Sequence, residues 1–224
     1  TDVHIKGSLI SLPGNADPII NLGDMYISDS VTCDGDNRIF GLTPDTLTAR
    51  VILDGTTLQT FTGSTNMRFG NLTIRNTYDS LLLQNTVEVY SQLQIDQGNV
   101  DVDADTLDLL STGYITDEAS QKRIFSGPYG RIHLNRPLIL GSTYPDIAGV
   151  GLGLTIDGNL GSNVSIYRGN FPQSNVANGS IERFYFFYPQ FNADVSAPAS
   201  RYHDDTELQN NDESRLQFFR SATS

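Results

Sequence analysis

The chain has 224 residues, 38% of them hydrophobic, so it can bury a substantial core in one or two domains. Its formal net charge is −12 and its 14 Lys and Arg residues form no cluster, which argues against nucleic acid or an anionic membrane surface as partner. The single cysteine, Cys33, excludes an intrachain disulfide and a cysteine metal cluster. No apolar run approaches the roughly 20 residues of a membrane-spanning helix, so we expect no direct membrane insertion.

Three series of apolar residues recur about every 20 positions through the first half of the chain. They are Ile10, Val31, Val51, Leu72, Leu93, Tyr114; Ile20, Phe40, Phe61, Leu81, Val102; and Ile27, Leu47, Met67, Val87, Leu107. Three short strands per period are typical of a parallel β-solenoid, in which residues one turn apart stack at about 4.8 Å. The sequence therefore predicts an all-β fold that begins with a parallel β-solenoid over residues 1–140.

Alternation within the short strands predicts which side chains face the core. In Leu72–Ile74 and Leu107–Leu109, apolar residues flank one polar residue, as expected for three-residue strands with one buried side. Thr73 is predicted to face outward, and Phe61 and Leu81 are predicted to stack on each other inside the coil. Corners are predicted at residues that tolerate left-handed backbone or hydrogen-bond the bend, namely Asn76, Asn85, Gly98 and Asn99.

The pattern changes near residue 140. Residues 143–151 contain Pro and several Gly, which predicts a wide turn. Longer strands at wider spacing follow, and one of them carries the aromatic run Phe184–Tyr188. These features favour antiparallel pairing. We therefore predict a second domain, an antiparallel β-sandwich-like module over residues 141–224 that is cut short at its C-terminus.

Five segments carry a family resemblance. They are RVILDGTTLQTFTGS at Arg50–Ser64, FGNLTI at Phe69–Ile74, SIERFY at Ser180–Tyr185, DTELQN at Asp205–Asn210 and ESRLQFFR at Glu213–Arg220. They resemble the β-helix repeats, and the module that often follows them, of large secreted surface proteins of the Bacteroidota. The resemblance implies export by the type IX secretion system and an extracellular or cell-surface location, often within an adhesin for gliding or attachment. The C-terminal sorting domain of that family is absent, so we expect a piece of a longer protein.

An acidic run could be taken for a calcium site. It comprises Asp96, Asp101, Asp103, Asp105 and Asp108. A calcium loop of the EF-hand type starting at Asp101 would need Gly at its sixth position and Glu at its twelfth, where Thr106 and Thr112 stand. We interpret the run as a solvated acidic stripe and predict no metal ligands.

Catalytic residues are not predicted either. A polysaccharide-cleaving β-helix needs acidic residues and a basic residue on one strand face, and Arg75 with Asp96 is expected to form only a surface salt bridge. The histidines have no Ser or Cys in evident register; they are His4, His133 and His203. His203 begins an acidic segment that we interpret as a polar loop before a strand. No catalytic or cofactor-binding residue is assigned.

Four tripeptides fit the Asp-Ser/Thr-aliphatic pattern of O-glycosylation sites in the phylum that the chain resembles. The acceptors are Ser30, Thr46, Ser80 and Thr106. In each case the next residue belongs to an inward series, so the hydroxyl before it is predicted to face outward. We expect O-linked glycans at these positions; plain polar corners before inward strands are the alternative.

These observations favour a non-catalytic extracellular protein with a structural or adhesive role, or a fragment of a larger cell-surface adhesin. A stiff rod with variable polar faces suits a spacer or a contact surface for other surface proteins or polysaccharide. The alternative is a carbohydrate-binding module in which Tyr78, Tyr90 or Tyr114 stacks on sugar rings. A polysaccharide-active β-helix enzyme is the less favoured alternative, because the fold alone does not confer activity.

Overall fold

The computed structural model describes residues 2–14, 23–35, 49–161, 163–171, 182–189 and 199–201, with the backbone alone for Asp79 and residues 199–201. All regular structure in these ranges is β, as the sequence predicted. None of the described residues lies in a helix that is long and apolar enough to cross a membrane.

Seventeen strands follow one another along the described chain. They are β1 (Val3–Ile5), β2 (Leu9–Ser11), β3 (Met25–Ile27), β4 (Val31–Cys33), β5 (Arg50–Leu53), β6 (Gln59–Gly63), β7 (Met67–Leu83), β8 (Val87–Asp101), β9 (Thr106–Asp108), β10 (Tyr114–Thr116), β11 (Ile124–Phe125), β12 (Arg131–Arg136), β13 (Thr143–Tyr144), β14 (Leu152–Thr155), β15 (Val164–Asn170), β16 (Arg183–Pro189) and β17 (Ala199–Arg201).

The first twelve strands form a parallel coil of about five turns with three faces. Face A contains β1, β3, β5, the middle of β7 and of β8, and β10. Face B contains β2, β4, β6, the ends of β7 and β8, and β11. Face C contains the starts of β7 and β8, then β9 and β12. The predicted parallel solenoid with three strands per turn is confirmed.

Inward residues stack in columns along each face. On face A, Val51, Leu72 and Leu93 are successive partners, as predicted. On face C the same holds for Met67, Val87 and Leu107. All six are buried, and Cys33 is also buried, as its strand parity predicted. The columns remove apolar surface from water in every turn, which is the main stabilising term of such a coil.

Other members of the predicted series are out of register. Val31 pairs with Phe61 instead of Val51, and Leu81 pairs with Gln59 instead of Phe61. The cause is unequal turn length: the β4–β6 step spans 30 positions, whereas the first step between β7 and β8 spans 20. A fixed period therefore slips wherever a corner holds extra residues.

Three further members of the predicted series do not occupy their predicted columns. Ile27 pairs with Leu53 on face A instead of belonging to the column of Met67. Tyr114 is exposed, and its neighbour Ile115 takes the inward place. Ile10 is exposed as well. The predicted members Ile20, Phe40 and Leu47 lie outside the described residues.

Thr73 faces outward, as predicted, but it is not exposed to solvent. Its side chain alternates away from the coil interior, yet only 2% of the residue is exposed. Its neighbour Ile52 is also fully buried but does not belong to the core cluster of the coil. The outer surface of face A is therefore covered at these two residues.

Corners are fixed by side-chain amides, as predicted. Asn76 Nδ2 donates to Gln59 Oε1 at 2.8 Å, and Gln59 Nε2 donates to a carbonyl of the neighbouring turn at 2.9 Å, so this fully buried polar pair is hydrogen-bonded. Asn85 Nδ2 likewise donates to a carbonyl one turn away at 3.1 Å. Gly98 has a φ of 81°, a left-handed conformation that favours glycine. Asn99 Oδ1 accepts from a backbone N–H of the next turn.

Face C continues as an antiparallel sheet beyond the coil. β12 pairs in parallel with β9 on one side and antiparallel with β15 on the other, and β15 pairs antiparallel with β16. A separate antiparallel sheet of β13, β14 and β17 lies nearby in sequence. The predicted change from parallel to antiparallel strands is confirmed. One cluster of buried apolar residues extends from the coil into β14 and β15.

A buried ion pair lies where the coil joins the antiparallel strands. The side chain of Arg168 is fully buried, and its two terminal nitrogens donate to the two carboxylate oxygens of Glu118 at 2.6 and 2.5 Å. Arg168 Nε donates to Asn170 Oδ1 at 2.9 Å, and Arg183 approaches Glu118 at 3.7 Å. Burial raises the pKa of Glu118, but the charge and hydrogen bonds of Arg168 outweigh it, so the pKa lies below its usual range.

Candidate binding face

The outward side of the antiparallel sheet is lined by aromatic residues. In β12, Ile132 and Leu134 are buried, so alternation turns Arg131, His133 and Asn135 outward. The register then places the outward residues of β15 and β16 beside them. We call this surface the aromatic face; it comprises Arg131, His133, Asn135, Ser165, Tyr167, Phe184, Phe186 and Tyr188.

Pairing register organises the aromatic face in rows across the three strands. His133 lies opposite Tyr167, which lies opposite Phe186. In the next row Ser165 lies between Asn135 and Tyr188. Each row brings together residues that are distant in sequence, so the face exists only once β15 and β16 have joined β12.

Ring geometry makes the surface uneven instead of flat. The rings of Tyr167 and Tyr188 meet edge to face at 5.8 Å, and those of Phe184 and Phe186 meet in the same way at 5.3 Å. Phe186 is 41% exposed and Tyr188 is 54% exposed. An open groove of about 460 Å³ lies between them, lined by Arg131, Ser165, Tyr167, Phe186 and Tyr188.

Arg131 places a cation at the edge of this groove. Its guanidinium carbon lies 5.2 Å from the centre of the Phe184 ring and 5.9 Å from that of Phe186, within the range of cation–π attraction. Nη1 donates to the carbonyl of Gly130 at 2.6 Å. Burial lowers the pKa of Arg131, yet an arginine stays charged at neutral pH. No described residue brings a carboxylate into ion-pair contact with it.

Gly169 allows Phe184 to reach across the sheet. The two residues are direct partners in β15 and β16, and a Cβ at position 169 would lie 2.2 Å from Cζ of the Phe184 ring. The missing side chain therefore leaves the space that the ring occupies beneath Arg131. Glycine at position 169 is therefore a steric requirement for this position of the Phe184 ring.

His133 supports the Tyr167 ring within the aromatic face. Its Nδ1 lies 3.0 Å from Asp108 Oδ2, and its ring stacks on Tyr167 with centroids 4.5 Å apart. Nε2 is buried and has no hydrogen-bond partner among the described residues. His133 thus holds the Tyr167 ring from one side, while Asp108 fixes the orientation of the imidazole.

Thr106 is the direct partner of Arg131, so this predicted glycosylation position lies beside the aromatic face, whereas Ser30 and Ser80 lie on face B or next to it. Val31, Leu81 and Leu107 are buried, so the residues before them do not point into the core. Ser30 Oγ accepts hydrogen bonds at 3.0 Å from both the backbone N–H and the hydroxyl of Thr60. Ser80 and Thr106 are half-buried, and Thr46 lies outside the described residues.

The acidic run is divided among different contacts. Asp96 pairs with Arg75 at 2.9 Å, which confirms the predicted salt bridge, and Asp108 pairs with His133. Asp101 Oδ1 accepts from the backbone N–H of Asp103. Burial and the neighbouring Asp103 raise the pKa of Asp101 and of Asp105. No group of three or more His, Cys, Asp or Glu side chains could hold a metal in the described ranges. The segment that begins at His203 lies outside them.

The tyrosines selected from the sequence lie outside the aromatic face. Tyr78 is 61% exposed, Tyr114 is exposed and Tyr90 is half-buried, and all three lie on the coil. The sequence analysis missed Tyr167, Phe186 and Tyr188. A signal was present, because alternate residues in Phe184–Tyr188 share one side of a strand, and all of them are aromatic.

No protein-family model matches the sequence, and searches of curated proteins and of solved structures found no significant match. The arrangement of the aromatic face is therefore the main observation from which a function can be inferred.

Proposed function

We propose that the chain is a non-catalytic extracellular protein with a structural and adhesive role, in which the coil is a stiff support and the aromatic face is the contact surface. The observation that carries this proposal is the exposure of Phe186 and Tyr188 beside an arginine on paired strands. Aromatic residues and arginine are enriched at contact surfaces, because aromatic rings bury much apolar area and tyrosine and arginine also keep a polar group.

The sheet behind the aromatic face supports a rigid contact surface. Ile132, Leu134 and Ile166 are buried directly beneath it and belong to the same core cluster as the coil. A surface whose strands are held in a hydrogen-bonded sheet, as β16 is by β15 and β15 by β12, loses little conformational entropy when it binds. This favours adhesion by a preformed face over adhesion by a segment that must order first.

The extracellular part of the proposal comes from the sequence. The resemblance to secreted Bacteroidota surface proteins supports type IX secretion and membership of a larger gliding or attachment adhesin. It also supports O-linked glycans at Ser30, Thr46, Ser80 and Thr106. Such glycans would thicken the rod and discourage edge pairing between neighbouring rods.

Adhesion of protein-coated particles to a panel of polysaccharide films and protein films tests the role of the face. We expect the double variant Phe186→Ala/Tyr188→Ala to lose most of the adhesion shown by the wild type. Tyr78→Ala is the matched control, because Tyr78 is at least as exposed as Phe186 and Tyr188 but lies on the coil, and it should adhere like the wild type. Equal adhesion of all three proteins would overturn the proposal that this face is the contact surface.

The second candidate function is a carbohydrate-binding module. It is favoured by the groove of about 460 Å³, which combines aromatic rings with hydroxyl groups and a cation. Sugar rings have apolar faces and polar edges, and a groove of this composition complements both.

A further inference from the structure

We infer that the groove of the aromatic face binds an acidic polysaccharide, with its sugar rings against Phe186 and Tyr188 and a carboxylate at Arg131. This inference rests on the proposed contact role of the face and names the chemical class of the ligand. Three properties of the groove support this inference: the two exposed aromatic rings, which we call its apolar platforms, its hydroxyl groups and its charge.

The platforms suit a chain of sugar rings. Phe186 and Tyr188 are alternate residues of β16, so they lie on the same side of the strand, about 7 Å apart by the strand rise. That spacing is on the scale of one ring in a polysaccharide. The C–H groups on the face of a sugar ring pack against an aromatic ring as other apolar surfaces do. Two adjacent platforms therefore favour an extended ligand over a single sugar.

The hydroxyl groups suit the edges of the rings. Ser165, Tyr167 and Tyr188 line the groove, and each carries a hydroxyl group. Each hydroxyl can both donate and accept a hydrogen bond, so it matches sugar hydroxyls in either orientation. Together these three groups give polar contacts between the apolar platforms.

The charge of the groove selects an anion. Arg131 lines it, is half-buried against Phe184 and Phe186, and has no carboxylate in ion-pair contact among the described residues. A guanidinium forms a planar pair of donors that matches a carboxylate. The chain as a whole carries a net charge of −12, but at physiological salt that charge is screened beyond about 8 Å. The local cation therefore decides the preference inside the groove.

Calorimetric titration of the full chain with uronic-acid oligosaccharides tests the inference. The probes are oligomers of galacturonate, glucuronate and mannuronate, each compared with the neutral oligomer made by reducing its carboxyl groups. We expect at least one acidic oligomer to bind about tenfold or more tightly than its neutral counterpart. Equal affinities within every pair, or no binding by any oligomer, would overturn the inference.

Four variants test whether the preference belongs to the groove. Arg131→Gln should abolish the difference between the acidic oligomer and its neutral counterpart, whereas Tyr188→Ala should weaken both. Tyr78→Ala should bind like the wild type. Arg131→Lys keeps the charge but loses the planar group above Phe184, so we expect partial retention of the preference. Thermal unfolding of each variant shows that the fold is retained, and an unchanged preference in Arg131→Gln would contradict the assignment.

Failure of the inference can be distinguished from failure of the proposed function. If no uronate binds but particle adhesion still depends on Phe186 and Tyr188, the contact role stands and the acidic ligand is wrong. If a uronate binds in a way that depends on Arg131, but the Phe186→Ala/Tyr188→Ala variant adheres like the wild type, the binding site stands and the adhesive role is wrong.

Discussion

The coil and the antiparallel strands that follow it differ in the charged groups that they bury and in the aromatic residues that they bring together on one surface. On the coil, inward columns such as Val51, Leu72 and Leu93 are apolar, and the pair of Arg75 with Asp96 lies outside. In the antiparallel region the fully buried Arg168 lies inside, while Phe186 and Tyr188 are exposed. The coil follows the arrangement that stabilises a repeat fold most simply. The antiparallel region departs from this arrangement in its interior, which holds a charged residue, and on its surface, which exposes aromatic rings. Such departures are expected where a chain binds a partner.

The largest expected effect comes from breaking the buried ion pair. Arg168→Ala leaves the carboxylate of Glu118 buried without its main partner, and we expect a loss of about 3–5 kcal/mol in the free energy of unfolding. Arg75→Ala removes the exposed pair with Asp96 and should cost about 1 kcal/mol or less. Urea denaturation of both variants measures the difference. If both variants lost a similar free energy of unfolding, burial of the pair of Arg168 and Glu118 would not increase the contribution of that pair to stability.

A slightly smaller effect is expected for the apolar columns of the coil. Leu83 is buried beside Phe61 in the next turn, and Leu83→Ala should cost about 2–5 kcal/mol. Leu58→Ala is the matched control, since Leu58 is exposed at a corner, and it should cost about 0.5 kcal/mol or less. Equal losses in urea denaturation would refute the observed register.

The pH dependence of stability sharpens the contrast further. Because the folded-state pKa of Glu118 is lowered, its ion pair stabilises the fold above the ordinary glutamate pKa of about 4.3 and loses that effect as the pH falls further. The wild type should therefore lose stability more steeply than Glu118→Gln between about pH 5 and pH 3. Asp24, whose pKa is also lowered, is present in both proteins and cancels in the comparison. Parallel curves would rule out this role for Glu118.

The smallest effect concerns the acidic turn of the coil. Burial raises the pKa of Asp101, so its charge opposes folding at neutral pH. Asp101→Asn keeps an oxygen that can accept from the Asp103 N–H and should raise the free energy of unfolding at pH 7 by about 0.5 kcal/mol or less. This gain should disappear below about pH 3.9, where the aspartate is protonated. A loss of stability at pH 7 would contradict this interpretation.

Local features of the coil could be predicted from the sequence, and features that depend on distant pairing could not. Alternation predicted the burial of Val87 and Leu107 correctly, because side-chain direction in a strand depends only on neighbouring residues. The alignment of Val31 with Phe61 was missed, because it depends on how many residues each corner contains. The burial of Thr73 could not be predicted, because alternation gives its outward direction but no sign of what covers face A.

The binding face shows the same limit. The aromatic run Phe184–Tyr188 is visible in the sequence, but its partners on β12 and β15 are set by antiparallel pairing over long distances. Likewise, the sequence alone favours a surface position for Arg168, because its partner Glu118 is 50 positions away in the chain. Both features lie in the region where the simple repeat of the coil has ended.

Hydroxyl-radical footprinting of the protein, free and adhered to a surface that it binds, tests the central claim most directly, because oxidation reports which side chains are covered. The account predicts that adhesion protects Phe186 and Tyr188 from oxidation, while Tyr78 on the coil is oxidised as in the free protein. Protection of Tyr78 with no protection of Phe186 and Tyr188 would show that the coil, and not the aromatic face, makes the contact.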